Sequence, residues 1–130
     1  MREKMRFKKM SVILIVLSCA ALGVAGQLLM KKGMNNVGVV NIKDVFSLKV
    51  FPILFEKYVF VGFLIYVVAS LLWLVALSQE ELNFIYPLIA SGYIITAILS
   101  KFLFNESLSM FRFLGILLIC GGVYLIVIKI

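Results

Sequence analysis

Ala20, Gly23, Gln27 and Lys31 recur at intervals of three and four residues. That spacing puts side chains on one face of a helix. Gly26 lies beside the same face. Small residues let backbones approach closely in lipid, and a glutamine in an apolar run needs a partner, so this face is expected to look into protein or a cavity. A second cluster follows at Tyr86-Pro87, Ser91, Gly92, Tyr93, Thr96 and Ser100. Pro87 removes a backbone donor and loosens the helix around it, and freed carbonyls in lipid must face protein or water. Tyr86, Pro87, Ser91 and Tyr93 are therefore candidates to line a cavity, although packing alone would also account for them. Trp73 stands deeper than an interfacial tryptophan would, so it faces either a pocket or a packed neighbour.

These groups bind by hydrogen bonding and do not break bonds. The chain has no histidine, and its six acids, Glu3, Asp44, Glu56, Glu80, Glu81 and Glu106, fall outside the apolar runs. Cys19 and Cys120 fall inside them and read as small apolar fillers. No catalytic residue, metal ligand set or cofactor is expected, and no nucleotide-binding loop is present. Movement of any ligand would be passive or coupled to another gradient.

The elements that must position these residues are four apolar runs near twenty residues each, about 10–30, 58–78, 84–104 and 110–128. About 20 helical residues cross a hydrocarbon core of roughly 30 Å. The chain is 64% hydrophobic and 15% charged, too apolar for a soluble domain of this size to hide. The expected fold is an all-α membrane protein, one four-helix transmembrane domain over residues 1–130, with no room for a soluble domain. Net charge is +7, but the basic residues cluster at helix ends, where they meet lipid headgroups. Membrane lipids, and not nucleic acid, are the expected partners. The basic start and Leu17-Ser18-Cys19 loosely resemble a lipoprotein signal, yet apolarity continues to Met30 and three more spans follow, so an uncleaved first span is expected.

Residues 31–57 form the one long connection. Gly33, Asn35, Asn36 and Gly38 read as a break, and Ile42, Val45, Phe46 and Lys49 have the spacing of a short helix on the membrane surface. Phe51-Pro52 would redirect the chain. Gln79 to Asn83 force an antiparallel hairpin, with Asn83 as helix cap. Ser107 or Ser109 can cap the last span. Gly115 and Gly122 are seven residues apart and share a face, which suggests a helix–helix contact between two copies. Counting Lys and Arg gives six on the side of the N-terminus, Lys129 included, and seven on the other. The charge bias for orientation is small, so either the basic start leads the N-terminus inward or the chain inserts both ways and forms an antiparallel pair.

Three stretches resemble small four-helix members of the drug/metabolite transporter superfamily, which are EamA-like. They are residues 22–31 (Leu-Gly-Val-Ala-Gly-Gln-Leu-Leu-Met-Lys), Phe84-Ile85-Tyr86-Pro87-Leu88, and Phe104-Asn105-Glu106-Ser107 followed by residues 115–123. The likeness is greatest to the small subunits that flip undecaprenyl-phosphate-linked aminoarabinose, through Val24-Ala25-Gly26-Gln27 and Ile85-Tyr86-Pro87. It is more distant to the small multidrug resistance exporters. Those carry a membrane-embedded glutamate in the first helix, and the matching position here is Gly23.

The resemblance implies a bacterial inner-membrane transporter acting as an antiparallel or pseudo-symmetric dimer, a homodimer or a heterodimer with a homologous small subunit. Its implied substrate is a lipid-linked saccharide, moved between leaflets. Gly23, Gln27, Lys31, Trp73, Tyr86, Pro87, Ser91 and Tyr93 would shelter the polar head. Lys31 or Lys32, and Lys101 or Arg112, would meet the phosphate. Two other readings stand beside this one: export of a small organic cation or metabolite, and a non-transporting membrane subunit assembled with a glycosyltransferase or larger transporter.

Overall fold

The computed structural model describes residues 1–128; Lys129, used above in the charge count, lies outside them. All regular structure among the described residues is helical. Seven helices form in order: α1 Arg2–Val37, α2 Ile42–Val45, α3 Val50–Leu54, α4 Lys57–Leu77, α5 Leu82–Ile89, α6 Gly92–Phe104 and α7 Met110–Ile128. Four segments, Phe7–Val37, Lys57–Leu77, Leu82–Phe104 and Met110–Ile128, are long and apolar enough to cross a bilayer. The chain is a multi-pass membrane protein.

α1 and α4 pack antiparallel along most of their lengths. The reason is a repeat of small residues at matching steps. Gly26 on α1 meets Gly62 on α4 so closely that a Cβ on Gly26 would stand 2.7 Å from the Gly62 carbonyl, and one on Gly62 would stand 2.6 Å from the Gly26 carbonyl. Seven residues away on each helix, Cys19 donates its thiol to the Ala69 carbonyl at 3.1 Å. Seven further, Val12 and Ala76 are both fully buried in the core. At the opposite end, a Cβ on Gly33 would collide with the Glu56 carboxylate and Val59. Close backbone approach of this kind is how helices gain dispersion contacts where lipid is as apolar as leucine.

That contact explains why the chain does not break at Gly33. The expected end of the first span, near residue 30, gives way to a helix that runs on to Val37, because Gly33 lies against the start of α4. The break comes at Gly38, whose φ of 92° lies in the left-handed region. At about 1.5 Å per residue, the 36 residues of α1 outreach a ~30 Å core. The connection carries two short helices where one was expected. Pro52 sits in the first turn of α3, where its missing N–H costs nothing, so the chain turns at Glu56 and not at Pro52. Glu56 caps α4, accepting from the Tyr58 and Val59 amides at 2.8 and 2.9 Å.

The third span also departs from one continuous helix. It divides at Ala90–Ser91, three residues beyond Pro87. There the chain closes i→i+3 bonds, from Ala90 N–H to Pro87 and from Ser91 N–H to Leu88, both at 3.1 Å. The N-cap position is Glu81, whose side chain makes no capping bond, and not Asn83, which is the second residue of α5. The tight apolar core, Val12, Val16, Ala76, Ile85 and Leu88 with Val123 and Val127 against it, sits at the end of the bundle nearer the N-terminus. α7 joins α5 there and buries no residue of its own.

Gly26→Ala and Gly62→Ala should each destabilise the protein by about 1–3 kcal/mol, since backbone must move to admit the methyl. Gly23→Ala, with nothing within 4 Å of the added carbon, should be neutral or slightly stabilising. Thermal unfolding in detergent measures all three.

Partial burial pushes the Glu56 carboxyl pKa up, but hydrogen bonds from Val59, Asn36 and Tyr58 outweigh it and hold the group below its ordinary value. Its stabilising contribution is thus complete above the unfolded pKa of about 4.3 and disappears as pH falls through the lower folded value. Acid unfolding curves should show this loss below about pH 4, and Glu56→Gln should flatten it.

Candidate functional site

A cavity of about 460 Å³ opens between α1, α4, α5 and α6. Gly23 and Gln27 face it from α1, Tyr66, Ser70 and Trp73 from α4, and Tyr86, Pro87, Tyr93 and Thr96 from the broken third span. No lining residue carries a charge. Cys19 and Ala69, small residues of the α1–α4 seam, line its wall, and Ile89, Ala90 and Gly92 at the α5–α6 break border it from the other side. Gly92 lets α6 rest on Ala20 and Val24 at the rim.

The polar groups divide in two. The Ser70 hydroxyl donates to the Tyr66 carbonyl at 2.9 Å, and Thr96 donates to the Gly92 carbonyl at 2.8 Å, so both are satisfied within their own helices. Among the described residues, the Gln27 amide and the Tyr86 and Tyr93 hydroxyls make no such internal bond, and all three side chains are exposed. Trp73 packs edge-on against Tyr86, ring centroids 6.0 Å apart. Trp73 therefore does both things open to it: it packs on the core and walls the cavity. At membrane depth, unpaired amide and hydroxyl groups are costly unless something polar meets them. The arrangement suits a polar, hydroxyl-bearing group held by hydrogen bonds and ring faces.

Two shallower spaces adjoin this one. A recess lined by Glu81, Leu82, Asn83, Tyr86 and Pro87 shares the last two residues with the cavity. A groove of about 360 Å³ between α6 and α7 shares Tyr93 and Thr96, and runs past Ser100, Glu106 and Arg112 to Gly115.

Ser91 and Lys31 do not line the cavity. Ser91 is the residue before α6, at the helix break. Lys31 follows Gln27 by four residues, one turn along the same face, and pairs with Glu106 at 3.6 Å. Lys32 lies 4.5 Å from the Tyr58 ring centroid, with Lys57 on the same ring at 5.0 Å. Arg112 donates to the Ser107 carbonyl at 3.2 Å and lines the groove. Lys101 is exposed and adjoins none of the three spaces. Gly115 and Gly122 lie on α7 with nothing within 4 Å of a built Cβ. Sequence reasoning missed Tyr66, Ser70 and Thr96 as lining residues. Tyr66 and Ser70 lie seven and three residues before Trp73, so the helical spacing was a usable signal for them.

Comparison with known proteins agrees with this architecture. Residues 51–128 match the EamA-like transporter family. A probable 4-amino-4-deoxy-L-arabinose-phosphoundecaprenol flippase subunit ArnF from Proteus mirabilis is 36% identical over 118 residues, 85% of this chain and 86% of the relative. Its namesake from Serratia proteamaculans is 35% identical over 120 residues, 89% of this chain and 85% of that one. A probable subunit ArnE of the same flippase, from Pseudomonas fluorescens, is 30% identical over 56 residues, 43% of this chain and 49% of the relative. No solved structure matches. On the family match and on relatives aligned along most of its length, this chain belongs to the EamA-like transporter family.

Proposed function

We propose that this protein is a small subunit of a flippase that carries a phosphoundecaprenol-linked amino sugar between the leaflets of a bacterial inner membrane. The observation that carries this reading is the uncharged, hydroxyl- and amide-lined cavity at membrane depth, in a chain whose full-length relatives bear that flippase's name. The polyprenyl tail stays in lipid, so the protein has only to shelter the head. Gln27, Tyr86 and Tyr93 supply hydrogen bonds that replace water, Trp73 offers a ring face, and Gly23 leaves room. Pro87 and Ser91 keep the third span divided beside the head. Lys31 and Arg112 meet the phosphate as it passes. The task breaks no covalent bond.

The partner we propose is a homologous small subunit, of the kind that the ArnE-named relative represents. α7 offers the contact: it buries nothing within the protomer, and Gly122 is exposed with open space around it.

The test is flipping of a phosphoundecaprenol-linked aminoarabinose, or a shorter-chain analogue, in proteoliposomes holding this chain with and without a second small subunit. We expect acceleration over protein-free liposomes. No acceleration in either preparation overturns the reading. Gln27→Leu and Tyr86→Phe should each slow flipping about 3- to 10-fold, the size of one lost hydrogen bond to the head. Circular dichroism should show their helix content unchanged.

A further inference from the structure

Seven basic residues lie at the end of the bundle away from the N-terminus, and most have an internal partner. Lys49 pairs with Asp44 at 3.1 Å. Lys32 and Lys57 share the Tyr58 ring. Two of the three acids at this end are tied to local structure: Asp44 binds the Asn41 amide, and Glu56 caps α4. Glu106 differs. It makes no helix cap, and its one ionic partner among the described residues is Lys31, far off in sequence, at 3.6 Å with both side chains about half exposed. A half-exposed pair of that length adds little to stability, so fold maintenance is a poor account of it.

Its position is more informative. Lys31 extends the cavity face of α1 by one turn beyond Gln27, about 6 Å along the axis. Glu106 and Arg112 line the α6–α7 groove, which meets the cavity at Tyr93 and Thr96. The ion pair thus ties α1 to the α6–α7 loop across the place where cavity and groove approach the membrane surface. A carboxylate held by a lysine beside an arginine has the charge and the acceptor geometry of a phosphate ester oxygen pair.

We propose that Glu106 occupies the phosphate site of this protein, holding Lys31 until the phosphate of a lipid-linked head replaces it against Lys31 and Arg112. This rests on the flippase reading and gives it a specificity element. The ligand class is a phosphate ester with one or two negative charges. Neutral heads cannot displace Glu106. The exchange is of one anion for another, so Lys31 stays paired throughout, and the displaced Glu106 carboxylate, already about half exposed, turns to water.

The experiment is binding of farnesyl phosphate to the full chain in phosphatidylcholine nanodiscs, followed by phosphorus NMR, with inorganic phosphate and farnesol titrated in parallel. Glu106→Gln should bind farnesyl phosphate about two- to fivefold tighter, as expected for removal of a half-exposed competing carboxylate. Lys31→Ala and Arg112→Ala should bind it several-fold more weakly, and Lys43→Ala should match the wild type. Glu106→Asp, which keeps the charge on a shorter stem, should fall between wild type and Glu106→Gln. Farnesol binding should be the same in all. Equal gains for inorganic phosphate would identify a free-anion site and overturn the lipid assignment. Unchanged or weaker farnesyl phosphate binding by Glu106→Gln, or unchanged binding by Lys31→Ala, overturns the proposal. Binding does not depend on flipping: loss of flipping with this binding pattern intact sinks the transport reading alone, and the reverse sinks only the role of Glu106.

Discussion

The contact between α1 and α4 is what the other features depend on. Within a bilayer, burying apolar surface gives no advantage over lipid, so two helices stay together through close packing. Here that packing comes from small residues repeating at sevens, Cys19 and Gly26 on α1 against Ala69 and Gly62 on α4. At Gly26 the fit leaves no room for a methyl group on either helix. The thiol of Cys19 strengthens the same seam with a hydrogen bond to the Ala69 carbonyl. The two helices form a wall, and the cavity lies between it and the divided third span.

The second constraint is the division of the third span. Pro87 cannot donate to Asn83, and the chain closes a tight turn at Ala90–Ser91 before starting again at Gly92. Irregular backbone at membrane depth is tolerated where it borders a cavity, and Ile89, Ala90 and Gly92 do border it. The same break that disturbs the ladder also turns Tyr86 and Tyr93 to a common side. Discontinuous helices beside a midplane site are a recurring arrangement in transporters.

Much of this could be read from the chain. The four spans follow from hydropathy, and Gly23, Gln27, Tyr86 and Tyr93 by size or polarity, Pro87 by its missing donor and Trp73 by its depth stand out within apolar runs; all six border one space. What failed had a tertiary cause. Gly33 looked like a helix terminator because glycine usually is one, but it serves as a seat for Glu56 and Val59 from a neighbouring helix. Gly26 lies beside the cavity face by helical spacing, and only the register with Gly62 gives it its role. Pro52 has the local signature of a turn, but a proline in the first turn of a helix disturbs nothing. Lys31 and Glu106 are 75 positions apart, and periodicity within one helix cannot connect them.

α7 reaches the apolar core through its last turns, at Val123 and Val127, and borders the α6–α7 groove along its earlier ones. Nearly all of its side chains point away from the protein. For a helix in that position, the pressure on its composition comes from its surroundings. Substitutions on the lipid-facing side of its first three turns, away from Arg112, Gly115 and Ile116, leave the protomer's own interior untouched. The innermost seam of the bundle and its outermost helix therefore answer to different selective tests within one short polypeptide.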